Sequence, residues 1–289
     1  MTQRSRSHDA PPKKTDMAVM LPVKRKAHDP FRLKLTPWHG VFLALVCIFT
    51  TSYGYATTAP EVDSIRTVML RWMPLLLEGF LFNILISILS MALGTAVGTM
   101  LGLAQISLMP PIRHSSWFVT QFFRNAPWLV LLFFAMYLLP FEFTIAGVTI
   151  PFPDWIKAII GLSLPVMANV SEIVRGAVLS LPSGQWEAAE SLAYTRRQTL
   201  WLIILPQCVK RMLPPWMNLY SILTMATVLA SIVGVSEVMT LAGLVLSAED
   251  GRTDLLAPLY SFVLFLFFVY CYPIARWTVY LESKFAVKG

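Results

Sequence analysis

The chain reads as an all-α integral membrane protein with about six transmembrane helices, and three observations lead there. Of its 289 residues, 56% are hydrophobic and only 13% are charged, which is too apolar for a soluble domain of ordinary composition. The hydrophobic residues gather in stretches about 20 residues long with few interior charges, the length needed to cross hydrocarbon. The basic residues fall in a tail and in alternate short loops, as lysine and arginine do on the cytoplasmic side of a membrane. That distribution argues against nucleic acid as the reason for the net charge of +7, because no face or loop concentrates the positive residues.

Residues 1–37 form a basic, proline-bearing tail with Arg4, Arg6, Lys13, Lys14, Lys24, Arg25, Lys26, Arg32 and Lys34. It has too little apolar surface to fold alone and reads as a disordered cytoplasmic segment, with contact to anionic membrane lipid as the functional alternative. Residues 38–58 supply an extra N-terminal span, Trp38–Ala56. Gly54-Tyr55-Ala56 has the small-x-small form of a signal cleavage site, but the basic region before it is long for a signal peptide, so an uncleaved helix is expected. Further spans are expected at Phe80–Ile106, Trp117–Leu139, Trp155–Leu179, Asn218–Val235 and Leu256–Tyr280. Arg71–Glu78 and Ile112–Trp117, which mix charge with apolar residues, are expected as short interfacial helices leading into two of these spans.

Gly94, Gly98 and Gly102 follow one another at intervals of four and so share one helix face. Such faces let two backbones approach closely in lipid, where no hydrophobic drive holds helices together. With the tail inside, the outer loops are mostly acidic: Glu61, Asp63, Arg66 and Arg71, then Glu142 and Asp154, then Glu237, Glu249, Asp250, Arg252 and Asp254. The inner loops carry Arg113, then Arg196, Arg197, Lys210 and Arg211, then Lys284 and Lys288. Both termini are therefore expected in the cytoplasm. Cys47, Cys208 and Cys271 have no paired spacing, which points to neither a disulfide framework nor a metal site.

The longest inner loop extends from Pro182 to Pro215, and its segment 182–206 begins Pro-Ser-Gly-Gln-Trp-Glu-Ala-Ala-Glu-Ser-Leu-Ala-Tyr-Thr-Arg-Arg-Gln from Pro182 to Gln198. Ser183 is a candidate N-cap for a helix from Gly184 to Leu192, and Thr195 with Gln198 makes a capping box for a second helix that Pro206 would end. A tight turn near Ala193 joins the two. The first helix is small-residue-rich, a surface another protein's groove can approach.

At this loop the chain resembles the permease subunits of ABC importers. Their EAA signature runs Glu-Ala-Ala, three residues, Gly, nine residues, Ile, one residue, Leu-Pro; Glu187, Ala188, Ala189, Ile203, Leu205 and Pro206 match at that spacing, while Ala193 stands at the glycine. Phe123-Arg124-Asn125-Ala126-Pro127, Ser171–Gly176, Gly184–Glu187 and Leu213-Pro214-Pro215 with Asn218 are similar to the polar amino acid subfamily. Ala126 replaces a usual threonine, and Leu223–Thr227 replaces a common Lys-Asp-Thr/Ser run. The resemblance covers residues 72–285 and implies a five-helix core, to which the N-terminal span is an addition. It also implies that the loop, with Gly184, Glu187, Ala188, Ala189, Ala193, Ile203, Leu205 and Pro206, couples to a separate ATPase dimer. ATP and Mg would bind that dimer and no cofactor this chain. A second permease copy or paralogue and an extracytoplasmic solute-binding protein would complete a bacterial inner-membrane importer.

Within the spans, Glu172 and Arg175 are three apart on one face and either pair with each other or, with Asn169, line the solute pathway. Arg124 reads as an interfacial or helix-end contact and Lys157 as a lysine snorkelling outward. Two other function classes fit these residues less well. A membrane enzyme would need a catalytic or metal-binding constellation, and the histidines, His8, His28, His39 and His114, form none. A secondary transporter would show an internal repeat, and the apolar segments carry none.

Overall fold

The computed structural model describes residues 63–145 and 148–285. The expected tail, the extra span Trp38–Ala56 and its cleavage-like site lie outside the described residues.

Helix α1, Ile65–Gln105, starts at Ser64, whose hydroxyl accepts the Thr67 amide at 3.3 Å. It runs 41 residues through Pro74 without interruption. Arg71–Glu78 is thus the first part of this helix and not a separate interfacial one. Pro74 removes a single backbone hydrogen bond, and the helix is held on either side of it: Trp72 donates its Nε1–H to Glu249 at 2.8 Å, and Leu76 and Phe80 are buried against Val238, Leu259 and Val263.

The expected span Trp117–Leu139 is broken. Helix α2, Pro110–Asn125, and helix α3, Trp128–Leu138, meet at 105°. The cause is local: Pro127 disfavours helical angles in the residue before it, and Ala126 sits at φ −78°, ψ 137°. Helix α2 turns its polar side inward, with Ser116 and Thr120 buried and Trp117, Phe118 and Phe122 exposed. A small antiparallel hairpin follows, β1 (Glu142–Ile145) with β2 (Val148–Pro151), pairing Glu142 with Pro151; it decorates an otherwise helical protein.

Helix α4, Asp154–Leu179, is the centre of the bundle, and its most extensive packing is on α1. The glycine face makes that contact: a Cβ placed on Gly94, Gly98 or Gly102 would lie 2.5–2.8 Å from Val166 Cγ1, the Met167 carbonyl or the Ser171 carbonyl. Leu132, Leu162, Val166, Val170 and Leu223 share the core that surrounds it.

Helix α5, Ser183–Ser191, and a single capped turn, Arg196–Gln198, form the loop expected at residues 182–206. The second helix does not stop at Pro206. A π turn, Thr199–Ile204, runs directly into helix α6, Leu205–Ala226, which contains Pro214 and Pro215. The Leu205 amide reaches back to the Leu200 carbonyl, so the wider turn accommodates the proline that follows. The expected span Asn218–Val235 is therefore the end of a longer helical run, Arg196–Val233. It closes in a 3-10 stretch, Thr227–Val233, that stops at Gly234 with φ +88°.

The expected outer loop between residues 237 and 254 contains its own apolar helix, α7, Val238–Ala248. Helix α8, Leu256–Phe285, completes the described chain. Among the described residues four helices are long and apolar enough to cross a membrane, or five if the bent α2–α3 pair counts as one span. Counted that way, the number of spans equals the five expected of the core.

A candidate coupling loop and solute cavity

The residues of the signature divide by the direction they face. On α5, Gly184, Glu187 and Ala188 are exposed, while Ala189 is buried. Ala189 is therefore part of the packing that holds the helix, not of the surface it offers. Trp186 packs with Ala177, Leu181, Ile204 and Cys208, and the Arg196 guanidinium sits 5.4 Å from the centre of its ring. Ile203 and Leu205 join the same cluster, and Pro206 is exposed. A helix of nine residues has little stability of its own; this apolar patch between the ends of α4 and α6 supplies it. Ser183 opens the helix but makes no side-chain cap. The Thr195 and Gln198 capping box is formed in both directions.

Ala193 adopts φ +58°, the left-handed conformation a glycine would take without strain. Its amide bonds the Glu190 carbonyl at 2.9 Å and the Tyr194 amide bonds the Ala189 carbonyl at 3.1 Å. These two bonds are the Schellman closure of a helix, so the turn keeps the geometry of a glycine with an alanine in it.

Above the loop, between α2, α4 and α6, lies a cleft of about 590 Å³ lined by Arg124, Asn169, Glu172, Arg175, Ser180, Arg211 and Asn218, among others. Glu172 and Arg175 form a two-bond pair, Nη2 to Oε2 at 2.8 Å and Nε to Oε1 at 3.2 Å. Arg124, at the end of α2, brings its Nη1 within 3.6 Å of Glu172 Oε2. The pairing reading of Glu172 and Arg175 thus holds, and Arg124 is more than a helix-end contact. Asn169 lines the same cleft but donates its side-chain N–H to the Pro165 carbonyl at 2.8 Å. Arg211 closes the cleft towards the loop, donating Nη1–H to both the carbonyl and the hydroxyl of Ser180 at 2.8 and 2.9 Å. The cleft therefore holds one carboxylate among three guanidinium groups.

Two polar networks were not foreseen. Gln105 donates to Thr120 and Ser171 at 3.0 and 2.6 Å, tying α1, α2 and α4 together behind the cleft. Farther away, Glu237, read as an outer-loop acid, is fully buried. Its Oε1 accepts the Met239 and Thr240 amides at the start of α7, and Oε2 accepts Asn83 Nδ2–H at 2.8 Å. Asn83 in turn accepts the Val238 amide and donates to Thr227. Lys157 does not snorkel: it is fully buried, 3.2 Å from Asp154 and 3.4 Å from the centre of the Phe141 ring. The hairpin is what returns Phe141 to α4 and makes this possible. Among the described residues no cluster of His, Cys, Asp and Glu suits a metal ion.

Residues 94–287 match the family model for the binding-protein-dependent transport system inner membrane component. The chain is 34% identical to the L-cystine transport system permease protein TcyB of Bacillus subtilis (strain 168) over 202 residues, covering 69% of this chain and 81% of that one. It is 31% identical to the inner membrane amino-acid ABC transporter permease protein YhdY of Escherichia coli (strain K12) over 212 residues, 72% of this chain but only 55% of the relative's length. A chain in a crystal structure of an amino acid ABC transporter with histidines superposes with a TM-score of 0.65 at 21% identity, covering 78% of this chain and all (100%) of that one. The fold, the apolar spans and the match over residues 94–287 agree, and the chain belongs to the family of binding-protein-dependent transport system inner membrane components, as a multi-pass permease.

Proposed function

We propose that this permease forms the translocation pathway for an amino acid in an ABC importer and couples it, through α5, to a separate ATPase dimer. The observation that carries the reading is the placement of the exposed α5 face directly below the charged cleft. Gly184, Glu187 and Ala188 present a small, shallow surface that a groove on another protein can cover. The names of the relatives, which include amino-acid and L-cystine transport permeases, support an amino acid as solute. A second permease subunit would close the open side of the cleft, and an extracytoplasmic binding protein would deliver solute to the end of the bundle opposite α5. The coupling loop and both chain termini then lie in the cytoplasm, as the positive loops suggest. ATP and Mg belong to the partner in this scheme.

Within the cleft Glu172 already has both oxygens engaged by arginines. Its role is to orient Arg175 and Arg124, and the guanidinium groups are what face an incoming solute. Charges this far inside a bundle are costly unless paired or functional.

The test is co-expression with candidate ATPase and binding-protein subunits, followed by amino-acid uptake and ATPase measurements in proteoliposomes. Glu187→Arg, on the exposed face, is expected to lower solute-driven ATP hydrolysis by about tenfold, the scale of a disrupted charged contact, while membrane insertion is retained. Normal ATPase association and uptake in this variant would refute the coupling assignment.

A further inference from the structure

Resting on the transport reading above, we propose that Arg211 is the link through which occupancy of the cleft is felt by the coupling loop. Arg211 stands on the wall of the cleft and at the same time holds Ser180, the residue that ends α4 just before α5 begins. One turn earlier on α6, Gln207 donates to Gln185 of α5 at 3.2 Å. The start of α6 therefore grips the loop at both the end of α4 and α5 itself.

The electrostatics single out Arg211 from its neighbours. Arg124 and Arg175 share Glu172, but among the described residues no carboxylate lies within ion-pair distance of Arg211. Its partners are a neutral hydroxyl and a carbonyl at the negative end of a helix dipole. A carboxylate is a stronger partner for a guanidinium than either. An amino acid whose carboxylate takes Arg211 Nη1, the nitrogen that makes both Ser180 bonds, competes with Ser180 and loosens the grip on the segment leading to α5. The coupling is reciprocal: displacing α5 from the other side draws Ser180 away and frees Arg211 for the cleft.

The experiment measures solute transported per ATP hydrolysed by the full complex of permease, ATPase and binding protein in proteoliposomes, using radiolabelled amino acid. Wild type is compared with Arg211→Gln, Arg211→Lys and Ser180→Ala. The ratio is expected to fall about tenfold in Arg211→Gln, the scale of a charge-assisted hydrogen bond. It should recover in part in Arg211→Lys, which keeps the charge but not the forked geometry. Ser180→Ala retains the carbonyl partner and should lower it by no more than about twofold. An unchanged ratio in Arg211→Gln, a parallel fall in uptake and hydrolysis, or failure of the complex to assemble would each reduce Arg211 to a structural cap and overturn the proposal. A wild-type complex that moves no amino acid would overturn the transport reading itself, a result distinguishable from the other three.

Discussion

Replacing Gly98 by alanine tests whether the glycine face of α1 is what allows α1 and α4 to pack. The added Cβ would lie 2.5 Å from the Met167 carbonyl oxygen, 2.8 Å from Val170 Cβ and 3.1 Å from Met167 Cα. Carbon rests against a carbonyl oxygen at about 3.3–3.6 Å, so the helices would have to separate by roughly 1 Å. The obstacle is largely backbone, and no rotamer change relieves it. Separation also loosens the approach at Gly94 and Gly102, since a gap of about 0.5–1 Å already forfeits a quarter to a half of each contact's dispersion energy. Overpacking costs about 1–3 kcal/mol, and the helix preference of alanine over glycine returns up to about 1 kcal/mol. The net expectation is a loss of about 1–2 kcal/mol. Gly243→Ala is the matched control: it lies within α7 and its Cβ would meet nothing within 4 Å, so it should be neutral or gain up to about 1 kcal/mol. Thermal unfolding of the detergent-solubilised protein, followed by size-exclusion fluorescence, ranks the two. Gly98→Ala melting at or above Gly243→Ala would refute the reasoning.

Ala193→Gly should stabilise the α5 loop modestly, by at most about 1 kcal/mol, because relief of the left-handed strain at φ +58° is offset by the freedom glycine gives the unfolded chain. Protease protection at the loop would report it, and a clear loss of protection would contradict the turn geometry. Asn83→Ala should lower stability by about 1–3 kcal/mol for each group it leaves unpaired, the Val238 amide and Glu237 Oε2 among them. An unchanged melting temperature would show that water or rearrangement satisfies them.

How far the sequence speaks for the structure depends on the range over which each interaction acts. Glu172 with Arg175, Thr195 with Gln198, and the turn at Ala193 involve residues five or fewer apart, and helix geometry alone makes them legible. The glycine face is legible for a similar reason, because its spacing already defines a stripe. The prolines mislead. Pro74, Pro206, Pro214 and Pro215 all lie inside helical runs, since a spanning bundle can hold a helix together around a lost hydrogen bond. The long-range partners are invisible beforehand: Lys157 meets Phe141 only because a hairpin intervenes, Glu237 finds Asn83 across 154 positions, and Arg211 finds Ser180 across 31.

The unbroken length of α1 bears on how the protein enters its membrane. Its charged residues, Arg66, Arg71 and Glu78, all fall at the beginning, and from Gly79 to Gln105 none remains. A charge at the centre of a span raises the insertion free energy by about 2.5–3.5 kcal/mol on translocon scales, and this arrangement avoids that cost while keeping the helix whole. The stretch before Gly79 is about 20 Å long and packs against α7 and α8 through Trp72, Leu75 and Leu76. It is braced by Arg71 on Asp63 and Glu249, and by Arg252 on the Asp63 carbonyl at 3.0 Å. The charges are thus confined to one end of a continuous helix, and the uncharged length from Gly79 exceeds the roughly 20 residues that a span requires.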